Sequence, residues 1–200
     1  MVAAGGTDAH EADAHGADAD SPHAPGCLIV SGLPGAGKTT VSRLVAARFP
    51  RSARIDGDDV ANMIVNGRVR VDHPGEESKR QLRLRARNIC VLAGSFAEDG
   101  FTPVIDHVVP DRRTLAFMVD RLRPLPVMFV VLAPPLEVCR RRNLARHVRE
   151  RVDFDFGPLD RSMRDELDGV GWWLDTADMT PEATAAAIAA HARRRALVAT

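Results

Sequence analysis

A chain of 200 residues, 45% of them hydrophobic, can bury one sizeable core and little more, so a single α/β domain is expected after a short tail. Its 27 basic and 27 acidic residues cancel, which removes the bulk electrostatic attraction on which nucleic-acid binders rely. No run approaches the roughly 18 apolar residues of a membrane span, and no basic and apolar leader opens the chain, so the expectation is a cytoplasmic protein without nucleic-acid or membrane partners.

Residues 1–25, rich in Ala, Gly, Asp and His and free of Lys and Arg, offer almost nothing large to bury and are expected to be a disordered tail. The domain is expected over 26–200. Its first apolar run, 27–31, leads into Gly32-Leu33-Pro34-Gly35-Ala36-Gly37-Lys38-Thr39, which fits G-x-x-x-x-G-K-[ST] in the required setting of strand before and helix after. Glycines at this spacing let backbone N–H groups turn onto phosphate oxygens, and the helix N-terminus adds the positive end of its dipole. Gly32, Gly35, Ala36, Gly37, Lys38, Thr39 and Thr40 are therefore the expected contacts of a bound nucleotide. Lys38 reaches the β and γ phosphates and the Thr39 hydroxyl faces Mg²⁺. The loop implies ATP or GTP but does not name the reaction.

A second run, 52–56, ends in "RIDGDDV". On an extended segment Asp56 and Asp58 point to the same side, toward the nucleotide, and such a pair suits phosphoryl transfer to a hydroxyl. Asp58 is expected as the base that also touches the substrate, Asp56 as the metal-side group. Asp58 is equally suited to capping the helix that follows. Further on, "SKRQLRLRARNIC" places Arg80, Arg83 and Arg87 at helical spacing, a cationic face for an anionic acceptor or a solvated one; Arg83 and Arg87 are taken as candidate substrate contacts. The third run, 102–106, ends at Asp106, the best Walker B candidate for a metal-bound water, with His107 beside it as a further candidate substrate contact.

Strands are also expected at 127–132 and 172–175, and helices beginning near 37, 58, 76, 111, 135 and 159. Thr180 as N-cap and Pro181 as first helical residue mark the start of the last one. Strand and helix in alternation imply a parallel sheet covered on both faces, with ligands at the carboxyl ends of the strands. The arginine-rich stretch 136–152 sets Arg142 and Arg146 four residues apart, on one helix face from which they spread positive charge onto a transferring phosphoryl group. Cys27, Cys90 and Cys139 are too scattered for a metal motif or a disulfide scaffold and read as small buried hydrophobes.

On the phosphate loop at 32–39, "IDGDDV" at 55–60, "VID" at 104–106, Arg142-Asn143 to Arg146, and "WWLDTADMTPEATAAAI" at 172–188, the chain resembles the small P-loop kinases. These are the chloramphenicol phosphotransferase-like group, with zeta-toxin, gluconate, shikimate and adenylylsulfate kinases as wider relatives. The resemblance covers 26 to about 192. It implies a five-stranded parallel sheet of order 2-3-1-4-5, Asp58 as the carboxylate that activates the acceptor hydroxyl, Arg142 and Arg146 as catalytic lid arginines, and the loop after the last strand packed on the adenine. The phosphate loop departs from the Ser-rich form of the chloramphenicol enzymes. Residues 59–80 match no substrate signature.

The expectation is an ATP- and Mg²⁺-dependent phosphotransferase acting on a hydroxyl of a small molecule, such as an antibiotic or a sugar-like metabolite. Two alternatives stand beside it: a nucleoside or nucleotide kinase, and a regulatory P-loop NTPase that switches with its nucleotide. The acceptor and the oligomeric state are not readable from the sequence.

Overall fold

Strands β1 (Cys27–Gly32) and β4 (Val127–Leu132) are buried along their whole length. Unbroken apolar runs of this kind belong to central strands of a parallel sheet covered on both faces, where no face is left for polar residues to alternate onto. The computed structural model describes residues 26–70, 75–148 and 151–198; the expected tail, 1–25, lies outside the described residues.

With β2 (Ser52–Asp56), β3 (Thr102–Asp106) and β5 (Trp172–Leu174), these strands form one parallel five-stranded sheet in the order β2-β3-β1-β4-β5, the order the resemblance implies. β5 covers only Val130–Leu132 of its neighbour. The chain beyond the last helix returns antiparallel beside the first half of β4, with Leu197 opposite Met128, so that edge is sealed from both ends.

Seven helices follow the expected positions to within two residues: α1 (Lys38–Ala46), α2 (Gly57–Asn62), α3 (Glu76–Glu98), α4 (Arg112–Leu122), α5 (Leu136–Leu144), α6 (Gly157–Leu167) and α7 (Pro181–Arg195). α1 packs against α7, and α3 against α4, over the sheet. Phe129, Leu28, Ile29 and Ile105 from the strands meet Ile89, Met118 and Ile188 from the helices in a fully buried core. Side-chain oxygens cap three helix starts: Asp56 accepts from Asp58 N at 2.8 Å, Asp111 from Thr114 N at 2.6 Å, and Thr180 from Ala183 N at 3.1 Å. All three cysteines are free and buried. Among the described residues no helix is long and apolar enough to cross a membrane.

Candidate active site

The phosphate loop connects the end of β1 to the first turn of α1. Gly35, at φ 82°, lies so close to α5 that a Cβ there would run into the Cys139 carbonyl oxygen, so only glycine lets the loop nest this tightly. Gly37 caps α1 in a left-handed conformation and supplies no side chain, leaving the leading N–H groups of the helix for an anion. Lys38 folds back over the loop, Nζ donating to Leu33 O at 3.0 Å. Burial pushes its pKa below the ordinary lysine value, against the opposing pull of Asp106 and Asp58. Thr39 and Thr40 are exposed.

Beneath the loop, one arginine organises the strand ends. Arg54 donates through Nη2 to Asp56 Oδ2 at 2.5 Å and Asp106 Oδ2 at 2.8 Å, and through Nε to Ser42 Oγ at 2.8 Å. Burial works against its charge, but the hydrogen bonds to Asp106 and Asp56 prevail and hold its pKa above the ordinary value. Asp56 spends its other oxygen on capping α2, so both are engaged within the protein. That differs from the expected metal-side role, because the chain turns helical at Gly57 and the extended geometry behind the pairing with Asp58 does not exist. Asp106 is different. It is buried, and only its Oδ2 takes hydrogen bonds from the described residues, from Arg54 and Ser42. Its second oxygen suits a hydrated cation, and the exposed Thr39 lies in the first turn of α1, directly after the phosphate loop. Among the described residues no three His, Cys, Asp or Glu side chains converge on a metal position, so Mg²⁺ fits here only in company with nucleotide phosphates.

Asp58, in the first turn of α2, is 86% exposed and accepts from Arg85 Nη1 at 3.2 Å. Arg85 is largely buried, its side chain 13% exposed, and that burial pushes its pKa down, Asp58 pulling the other way and Arg68 adding to the fall. Both line a cavity of about 660 Å³ walled by α2, α3 and residues 151–154. Arg83 and Arg87, expected to contact substrate, are exposed and do not line it, while Arg80 pairs with Glu77. From α3 the cavity is lined by Ser78, Gln81, Leu82, Leu84, Arg85 and Asn88. His107 does not line the cavity either. It is buried beneath Gly57, where a Cβ would stand 2.5 Å from Nδ1, and burial, with Arg85 and Lys38 nearby, lowers its pKa to about 3. Neutral imidazole in a packing role replaces the expected substrate contact.

On the other side of the loop a second cavity, about 360 Å³, is lined by Gly35, Gly37, Arg142, Arg146 and Thr176. Arg142 donates to the carbonyl oxygens of Thr176 and Ala177 at 3.2 and 3.3 Å, which anchors it to the loop after β5. Arg146 lies just past the end of α5, and its charge adds to the fall that burial causes in the pKa of Lys38. Asn143 is buried and grips Val152 both ways, Nδ2 to Val152 O at 2.8 Å and Val152 N to Oδ1 at 3.1 Å, tying the segment beyond α5 back to the helix. The tryptophans stay out of this cavity: Trp172 is buried under Arg195, and Trp173 donates to Leu167 O at 3.1 Å.

Sequence reasoning passed over Arg54, Arg85, Asn143 and Thr176. An arginine inside the short run "SARID" and the one uncharged polar residue in "CRRRNL" were the available signals for two of them. Arg85 and Thr176 left none.

The sequence model of the AAA domain family matches residues 28–164. No curated protein matches the chain in sequence. Among solved structures, the tunicamycin resistance protein of Deinococcus radiodurans shares 19% identity at a TM-score of 0.60, covering 88% of this chain and 99% of that one. A sugar kinase of Janibacter sp. shares 21% at 0.57, covering 81% and 91%. The APS kinase of Mycobacterium tuberculosis, solved with AMPPNP and APS, shares 17% at 0.60, covering 82% and 95%. At such identities the likeness is one of fold.

Proposed function

We propose that this chain, which belongs to the AAA domain family, is an ATP- and Mg²⁺-dependent kinase that moves a γ-phosphoryl group to a hydroxyl of a small molecule. The position of Asp58 carries the reading. Its carboxylate stands exposed at the edge of an acceptor-sized cavity, held by a largely buried arginine and close enough to Lys38 to oppose the fall that burial causes in that lysine's pKa. The kinase neighbours of the same fold support phosphotransfer as the class of chemistry.

Bound Mg-ATP supplies the transferable phosphoryl group. The loop N–H groups and the α1 N-terminus would hold its phosphates, Thr39 and Asp106 would hold the cation, and Arg142 with Thr176 would line the far end of the nucleotide cavity. Asp58 accepts the proton of the incoming hydroxyl and aims its oxygen, with Arg85 fixing the carboxylate. Lys38 and Arg146 offset the charge that accumulates on the transferring group; an arginine in this role is worth roughly 10³ to 10⁵ in rate. Closure of the 136–152 segment over the loop excludes water and suppresses hydrolysis.

The test is incubation with γ-labelled ATP and Mg²⁺ against a pooled library of hydroxyl compounds. Label is expected to move to an acceptor in the wild type. Asp58→Asn should bind ATP normally and transfer at least about 100-fold more slowly, the loss typical of a missing general base, while Lys38→Ala abolishes turnover. Normal transfer by Asp58→Asn, or label leaving only as inorganic phosphate in both proteins, refutes the assignment.

A further inference from the structure

The acceptor cavity is lined by four arginines, Arg68, Arg70, Arg85 and Arg151, and two aspartates, Asp58 and Asp153. Arg70 is paired with Asp153 at 2.7 Å and Arg85 with Asp58 at 3.2 Å. The hydrogen bonds of the remaining two go to neutral oxygens: Arg68 to Asn62 Oδ1, and Arg151 Nε to the Arg146 carbonyl at 2.9 Å. Arg85, moreover, is largely buried with an 86% exposed aspartate as its carboxylate partner, and Arg68 is near enough to disfavour its charge. Like charges brought together at a concave surface cost energy that a solvated face would avoid by spreading them out.

Val60, Ile64, Leu84 and Phe154 line the same cavity and give it an apolar side. We infer that the acceptor is an anion, a hydroxyl compound with an apolar or ring-like body that also carries a phosphate, sulfate or carboxylate group, and that Arg68 and Arg151 bind that group. Guanidinium groups suit it because their forked donors match planar or tetrahedral oxyanions in pairs. The inference rests on the kinase reading for the hydroxyl and on the cavity alone for the charge.

Two arms test it. In the first, protein saturated with Mg²⁺ and AMPPNP, so that the phosphate loop is filled, is titrated with matched pairs. The pairs are nucleosides against their 5′-monophosphates, sugars against their phosphate and sulfate esters, and sugars against their uronic acids. At least one charged member should bind about 10- to 100-fold more tightly than its neutral parent, the size of one or two charge-assisted hydrogen bonds. The Arg68→Ala/Arg151→Ala double variant should lose that preference while binding the neutral parent unchanged. Both side chains are exposed, so the variant is expected to fold. The type of ester or acid preferred separates phosphate, sulfate and carboxylate. Equal binding within every pair, or a preference that survives in the double variant, overturns the inference.

In the second arm γ-labelled ATP replaces the analogue. Label moving to neutral compounds as readily as to charged ones refutes the anionic acceptor and keeps the kinase. Label moving to none, while charged members still bind with their preference, refutes phosphotransfer and leaves the anion site standing.

Discussion

Thr176 carries the only buried side-chain oxygen or nitrogen without a hydrogen-bond partner among the described residues, and it lines the cavity at the base end of the phosphate loop. An unsatisfied buried hydroxyl costs stability until something meets it. Thr176→Val should therefore stabilise the free protein, by about 1 kcal/mol, and weaken ATP binding by about 10-fold. Opposite signs in thermal unfolding and in nucleotide titration are the check; a variant that binds ATP as well as the wild type removes Thr176 from the base site. Other residues show why single positions were hard to read. Arg83, Arg85 and Arg87 alternate in sequence, and choosing among them needs the absolute rotation of α3, which the helical period alone does not supply. Asp56 and Asp58 were legible as a pair but not as cap and carboxylate, because one residue of difference in where the helix begins turns one side chain inward and the other to solvent.

At the scale of elements, strands and helices were plain from the alternation of apolar runs with amphipathic stretches, and the strand order followed from the resemblance. The segment beyond α5 was legible as a basic helix and, through the resemblance, as part of a lid. What shapes it is the two-way grip of Asn143 on the Val152 backbone, a contact across nine residues with no periodic signature. In the proposed mechanism that grip bears on catalysis, because Arg146 lies between its two ends. Asn143→Ala should leave the acceptor KM nearly unchanged, lower transfer by about 10- to 100-fold through misplacement of Arg146, and raise the fraction of turnovers ending in hydrolysis. Measuring phosphorylated product against released phosphate checks it; a slower enzyme with unchanged partition would mean that the grip does not shape the lid.

For the molecule as a whole, the packing of His107 under Gly57 sets a term in acid stability. Its folded pKa of about 3 lies well below the unfolded value near 6.5, so the unfolded chain takes up the proton first. Stability from this site is complete above pH 6.5 and is lost as pH falls toward 3, with a limiting slope of about 1.4 kcal/mol per pH unit. Burial is the main cause of the low value, and the charges of Arg85 and Lys38 add to it. Carboxylates titrate in the same window, so the comparison is with His107→Asn, whose denaturation midpoint should fall less steeply between pH 6.5 and 4. Identical slopes would show that His107 is protonated in the fold.

The two cavities draw on different parts of the chain. The nucleotide end is assembled from segments at 35–41, 142–146 and 176–184, far apart in sequence and meeting only through the fold. The acceptor end comes almost wholly from one continuous stretch, 58–88, completed by 151–154. On the kinase reading proposed above, recombination or drift confined to that stretch would exchange what is phosphorylated without touching what phosphorylates it, so this architecture could diversify its chemistry one cassette at a time.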